Sequence, residues 1–230
     1  MRYSLRRIYY TAGVVNIITK WADSAMKKTS GTRKRILDIA QANVLSKGFS
    51  ATSIEEIVAE AEITKGGFFY HFPDKNSLVR ALVERYIEDE NVLFDNLEQQ
   101  ARELTDDPLQ TYLVGLKLLE QVLRDLPKGH PGCLIAAAAY QERLFDQGVR
   151  DVSKHAVLGW RARFQQMLEE IAEVYPLRDD VALEDVSDML SAAIDGGLVL
   201  ARTLNEPDAV VRQVRLYRSY VKLLFQKPPQ

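Results

Sequence analysis

From Gly31 onward the apolar residues of this chain recur every three or four positions, and almost nowhere do they alternate. A half-buried strand needs alternation and one face of a helix needs the wider spacing, so the chain reads as helices. Leu109, Leu113, Leu116, Leu119 and Leu123 show it best, as one apolar stripe. Breaks fall at Gly48, at Pro73, at Asp106-Asp107-Pro108, between Pro127 and Pro131, at Pro176 and at Asn205-Glu206-Pro207. They predict helices over 32–47, 53–61, 64–72, 74–102, 108–126, 132–145, 151–175, 184–204 and 207–225. Gly48 stands where a helix takes a left-handed stop, and Thr52 and Ser53 ahead of Glu55 and Glu56 offer a capping box in either frame. The fold class is therefore all-α, with nine or ten helices and no internal repeat.

With 230 residues, 47% of them hydrophobic, the chain can bury one large core or two small ones and is too apolar for disorder. Its net charge of −2 taken whole argues against nucleic acid. Taken in parts it does not: residues 1–80 hold 13 Lys and Arg against 7 Asp and Glu, and residues 81–230 hold 17 against 25. A basic head precedes an acidic body. The excess of the head halves to +3 without residues 1–25, so the motif below carries more weight than the charge.

The single cysteine, Cys133, makes no intramolecular disulfide and fits a reducing compartment, so a cytoplasmic location is expected. One Cys and three scattered His build no zinc cage, and no stretch approaches the roughly 18 uncharged apolar residues of a membrane span. Nucleophile elbow, P-loop and dinucleotide fingerprint are all missing, so neither enzyme nor cofactor is expected. Residues 1–30 form an N-terminal extension open to three readings: a signal-peptide-like leader, sequence upstream of a start at Met26, or a basic arm that touches DNA or a partner.

The informative stretch runs from Thr52 to Lys75. Two short helices joined by a tight turn at Glu62-Ile63, the second opening on the cap residue Thr64, are the layout of a helix-turn-helix. Ile54, Ile57, Val58, Ala61 and Ile63 supply the face that packs the two helices, leaving Lys65, Gly66, Gly67 and Tyr70 to point away. A cation for base acceptors, two glycines that admit a close backbone and a hydroxyl for phosphate suit a DNA groove. The caps at Thr52, Thr64 and Asn76, with Lys75 beside the last, can each receive a phosphate oxygen.

This stretch resembles the TetR family of bacterial transcriptional regulators. The likeness covers about residues 33–82 and rests on Ile36-Leu-Asp-Ile-Ala40, Lys47-Gly-Phe49, Thr52-Ser-Ile, Ile57-Val-Ala and above all Lys65-Gly-Gly-Phe-Phe-Tyr-His-Phe72 with Lys75 and Leu78. It implies a DNA-binding domain over 31–77 and a larger ligand-binding and dimerisation domain over 78–230. Lys65, Gly66 and Gly67 would reach base edges; Tyr70, His71, Lys75 and one of Thr52 or Ser53 would hold phosphates. Three positions depart from the pattern. Phe69 replaces a common Tyr, losing a hydroxyl but keeping a ring for a thymine methyl; Glu62 replaces a turn glycine, at about 1 kcal/mol if its φ is positive; Asn43 sits where the family is usually apolar.

The resemblance also implies a homodimer through the last two helices, on a palindromic double-stranded operator whose half-sites lie about 34 Å apart. Ser191, Ala192, Ala193, Gly196 and Gly197 allow close helix approach, and Val214, Tyr217, Tyr220, Leu223 and Leu224 enrich the last helix in apolar surface. For a small, mostly apolar effector the candidate residues are Tyr112, Leu116, Cys133, Ala137, Tyr140, Trp160, Phe164 and Asp195. Many of these suit plain core equally well. Cys133 after Pro131-Gly132 belongs in a first helical turn, where a thiol is either an electrophile sensor or a buried small hydrophobe. The expected function is a ligand-released repressor; the alternative is a nucleoid-associated or division-control DNA-binding protein.

Overall fold

In the computed structural model, residues 31–126 and 129–225 are described, and the extension 1–30 lies outside them. Among the described residues the chain forms nine α-helices: α1 Thr32–Lys47, α2 Ile54–Glu60, α3 Lys65–His71, α4 Lys75–Arg102, α5 Pro108–Asp125, α6 Leu134–Ala139, α7 Gln147–Ala172, α8 Leu183–Leu204 and α9 Ala209–Leu224. A 3-10 turn, Glu142–Leu144, follows α6, and one isolated bridge joins Leu177 to Phe225. None of these helices is long and apolar enough to cross a membrane.

Two expected helices come out differently. The one expected over 132–145 closes at Ala139, where the chain turns to bring Gln141 onto Ser50 and Phe145 onto Phe49. The one expected over 151–175 starts at Gln147, because Asp146 accepts the Val149 N–H at 3.0 Å and caps it.

Compactness groups the chain other than as the linear segments 31–77 and 78–230. One unit, the head, holds residues 31–91 and 131–157; the other, the body, holds 92–126, 129–130 and 158–225. In the head, Ile36, Leu37, Ala40, Val44, Phe49, Ile57, Phe68, Phe72, Leu78 and Leu82 are buried. Arg85 of α4 ties α1 down, donating to the Asp38 carboxylate at 2.6 Å and to the Leu37 carbonyl at 3.0 Å. The head closes with residues from beyond α6. Phe145 meets Phe49 edge-on at 4.9 Å, the Gln141 amide oxygen accepts from both the N–H and the hydroxyl of Ser50, and Asn76 accepts the Asp146 N–H at 3.2 Å.

Two of the departures find a physical account here. Asn43 donates to the Glu60 carboxylate at 3.0 Å, so a polar residue at that position links α1 to α2. Glu62 takes φ 52°, the left-handed region that disfavours a side chain bearing Cβ. Glu62→Gly is therefore expected to raise stability by about 1 kcal/mol. Urea titration of the two proteins checks it, and an unchanged midpoint would contradict the turn geometry.

In the body, α5, α7, α8 and α9 pack about Leu116, Phe164, Leu168, Leu190, Tyr217 and Val221. Three ion-pair groups rim this core. Arg161 of α7 grips Asp188 of α8 through Nε at 2.8 Å and Nη2 at 2.6 Å. Arg163 binds Asp95 and Glu98, and Glu120 of α5 receives Lys117, Arg215 and Arg218.

Candidate nucleic-acid interface

The turn before α3 sets which side of that helix faces out. Thr64 caps it, its hydroxyl accepting the Gly67 N–H at 3.0 Å, and Phe68 and Phe72 lock it to the head as buried rings 5.9 Å apart. The opposite side carries Lys65, Gly66, Phe69 and Tyr70. Tyr70 is 85% exposed and Phe69 46%. A Cβ on Gly66 or Gly67 would meet only ordinary contacts, so the head itself does not require glycine there. What their absence of side chains provides is a bare backbone on an exposed helix.

Lys65 is not a free cation. Its ammonium donates to Glu55 of α2 at 2.7 Å, with both side chains more than half exposed. Glu55 is held below the ordinary carboxylate range, first by that hydrogen bond. A partner that takes Lys65 must displace this carboxylate, a weak competitor in water.

The expected phosphate residues sort into three groups. Ser53 is the cap of α2, accepting the Glu56 N–H at 3.2 Å, and is exposed; Tyr70 and His71 stack edge-on at 5.0 Å at the end of α3. Thr52 is corrected: it is 2% exposed, and its hydroxyl donates to the Gly48 carbonyl at 2.9 Å, so of the two candidates only Ser53 is presented outward. Lys75 is partly committed. Its ammonium donates to the carbonyls of Phe49 and Thr52, both at 2.7 Å, and burial pushes its pKa down. One of its three donors remains for a phosphate.

In the body a pocket open to solvent lies between α4, α5, α7 and α8, its space about 380 Å³ with open solvent included. Of the effector candidates, Tyr112, Leu116 and Phe164 line it. Trp160 and Asp195 do not: Trp160 packs half-buried against the adjoining core, and Asp195 is half-buried on α8. Cys133, Ala137 and Tyr140 belong to the head unit, and Tyr140 is 84% exposed. The Cys133 sulfur accepts the Ala136 N–H at 3.3 Å as the cap of α6. Sequence reasoning missed Phe94, Leu97, Glu98, Gly115, Arg163 and Met167 in this lining. Gly115 and Met167 lie three residues beyond Tyr112 and Phe164 on the same helices, so extending each face by a turn would have found them.

The small residues expected between subunits divide as well. An added Cβ on Gly197 would lie 2.7 Å from the Val210 Cα, and Val214, Tyr217 and Leu224 are buried, so these four serve the α8–α9 contact within the chain. The outward face carries Met189, Ala192, Gly196, Val199 and Leu200 on α8 with Leu216 and Leu223 on α9.

Residues 36–82 match the family model described as bacterial regulatory proteins, tetR family. The chain is 23% identical over 167 residues to the HTH-type transcriptional repressor DhaR of Mycobacterium sp. (strain GP1), covering 73% of this chain and 80% of that one. It is 34% identical over 88 residues to the HTH-type transcriptional regulator AcrR of Shigella flexneri, covering 38% of this chain and 40% of the relative. In fold it is similar to a TetR-family transcriptional regulator from Agrobacterium tumefaciens, with a TM-score of 0.70, 20% identity, and coverage of 84% of this chain and 97% of that one.

Proposed function

We propose that this chain, a member of the TetR family of bacterial transcriptional regulators, works as a dimeric repressor that holds a palindromic operator through α3 and lets go when a small apolar molecule enters the body. The exposed row Lys65, Gly66, Phe69 and Tyr70 on a helix anchored by two buried rings carries this reading. Lys65 suits guanine O6 and N7, and Phe69 suits a thymine methyl. Ser53, Tyr70, His71 and the remaining donor of Lys75 suit the backbone, which positions the head without reading sequence. Relatives named as transcriptional regulators and a repressor, none of them an enzyme, support it over the nucleoid-associated reading.

Lys65→Ala with Tyr70→Ala is expected to abolish retention of an operator fragment in a gel-shift assay while circular dichroism stays unchanged. Retained binding would refute the assignment. Residues 26–80 hold a net +3 and residues 81–230 a net −8, so contact should stay with the segment 26–80 and weaken steeply with salt.

Regulators of this family bind DNA as dimers, and the apolar outer face of α8 and α9 is the surface we assign to that contact. Exposed Leu216 and Leu223, at 62% and 64%, lie about two turns apart on the same face of α9. Leu216→Glu with Leu223→Glu should yield a folded monomer by analytical ultracentrifugation, and a persistent dimer would move the interface elsewhere.

A further inference from the structure

We infer that the body's cavity takes an uncharged aromatic molecule bearing at most a hydrogen-bond donor, and that Gly115 sets how large that molecule can be. This deepens the ligand-released reading above and rests on it.

The chemistry follows from which lining groups are already committed. Tyr217 donates its one hydroxyl proton to the Val186 carbonyl at 3.1 Å, so in the 2.8 Å contact between Tyr217 and Tyr112 the proton is that of Tyr112. Tyr112 thus has no proton left for a ligand, only a lone pair. Burial raises the pKa values of both phenols, which keeps them neutral. Arg163 is flanked by Asp95 and Glu98, and Glu98 also receives Arg102 Nε at 3.0 Å. An anionic ligand would have to take Arg163 from two carboxylates, and a cationic one would have to take Glu98 from two arginines. Neither charge finds a vacant partner in a cavity whose remaining walls are apolar apart from the Tyr112 hydroxyl. Phe94 and Phe164, edge-on at 5.2 Å, supply the aromatic wall.

Gly115 gives the second, independent observation. Glycine inside a helix is less favourable than alanine. At Gly197 another backbone lies too close for a side chain, whereas Gly159 and Gly196 meet nothing within 4 Å and lie outside the cavity lining. At Gly115 an added Cβ would meet nothing within 4 Å, and its φ is not positive. The fold does not ask for this glycine. It lines the cavity, and a side chain there would occupy the space a ligand needs.

The test uses the full chain and three probes with one ring system: 1-naphthol, 1-naphthoate and 1-naphthylmethylammonium. Isothermal titration should show 1-naphthol binding at least tenfold more tightly than either ion. G115A should weaken it several-fold and G115L at least tenfold, with neither variant melting below the parent. Equal or tighter binding of either ion, unaltered binding by G115L, or no binding of 1-naphthol overturns the inference. A gel shift on the footprinted operator separates this from the wider reading. If 1-naphthol binds, is blocked by G115L and leaves the DNA complex intact, the cavity assignment stands and the ligand-released reading fails. If another compound releases parent and G115L alike from DNA, the regulator reading stands and the cavity assignment fails.

Discussion

Gly197→Ala is expected to cost about 3 kcal/mol, the upper end of what overpacking a core costs. The new methyl carbon would sit 2.7 Å from the Val210 Cα and 3.2 Å from its Cβ. Backbone cannot swing aside as a side-chain tip can, so α8 and α9 must separate. That separation loosens Leu190, Val214 and Tyr217, which the two helices bury between them and α5. Gly159→Ala on α7 is the control. It meets nothing within 4 Å and should gain roughly 0.5–1 kcal/mol from helix propensity alone. Urea midpoints moving in opposite directions are the expected result. If both variants move the same way, α8 and α9 do not approach as closely as described.

Glu120→Ala is expected to cost about 2 kcal/mol, the charged hydrogen bonds of one buried carboxylate, because the cations it leaves behind are 30–49% exposed and rehydrate. The Glu120 side chain is fully buried, and its carboxylate receives Arg218 at 2.8 Å, Lys117 at 3.1 Å and Arg215 at 3.4 Å. Burial pushes its pKa up, but the three cations more than offset this and hold it below its ordinary value of 4.5. The sign of the pH effect follows. The contribution is present above the unfolded value near 4.5 and is lost as pH falls through the lower folded value. Glu120→Gln keeps the shape and removes the charge, so its deficit against the parent should be largest near pH 7 and shrink below pH 4. A deficit that does not change with pH would mean the residue acts through packing alone.

Much of the fold was legible because helix punctuation is local. Thr32–Lys47 and its stop at Gly48, the short pair α2 and α3 and the stripe of α5 all follow from spacing and caps within a few residues. The shortened α6 was not legible. Four alanines in a row favour a helix, and the helix ends instead because Gln141 and Phe145 are drawn to Ser50 and Phe49, which no local pattern announces.

The candidate interface was legible for the same reason as the helices: most of its exposed residues lie within one seven-residue helix, with Ser53 at the cap of the helix before it. What escaped was which neighbours each side chain already had. Thr52 and Ser53 are equivalent as text, but the frame of α2 makes one a buried donor to Gly48 and the other the exposed cap. Lys75 reads as a solvated lysine or a phosphate ligand, and it also holds two carbonyls. The cavity was the least legible part. Its walls come from four helices, and candidate aromatics such as Tyr140 look the same in sequence whether they end inside or outside.

The head's use of residues from beyond α6 sets an order of events during synthesis. Ser50 and Gln141 are 91 positions apart. At the pace of a ribosome, the interval between them is about 5–20 s. Through that interval α1, α2 and α3 can form, but Phe49 lacks the ring that covers it. A chain cut short before residue 140 would carry the whole matched segment 36–82 and still lack a closed head. Completion of the head therefore waits on translation of most of the chain.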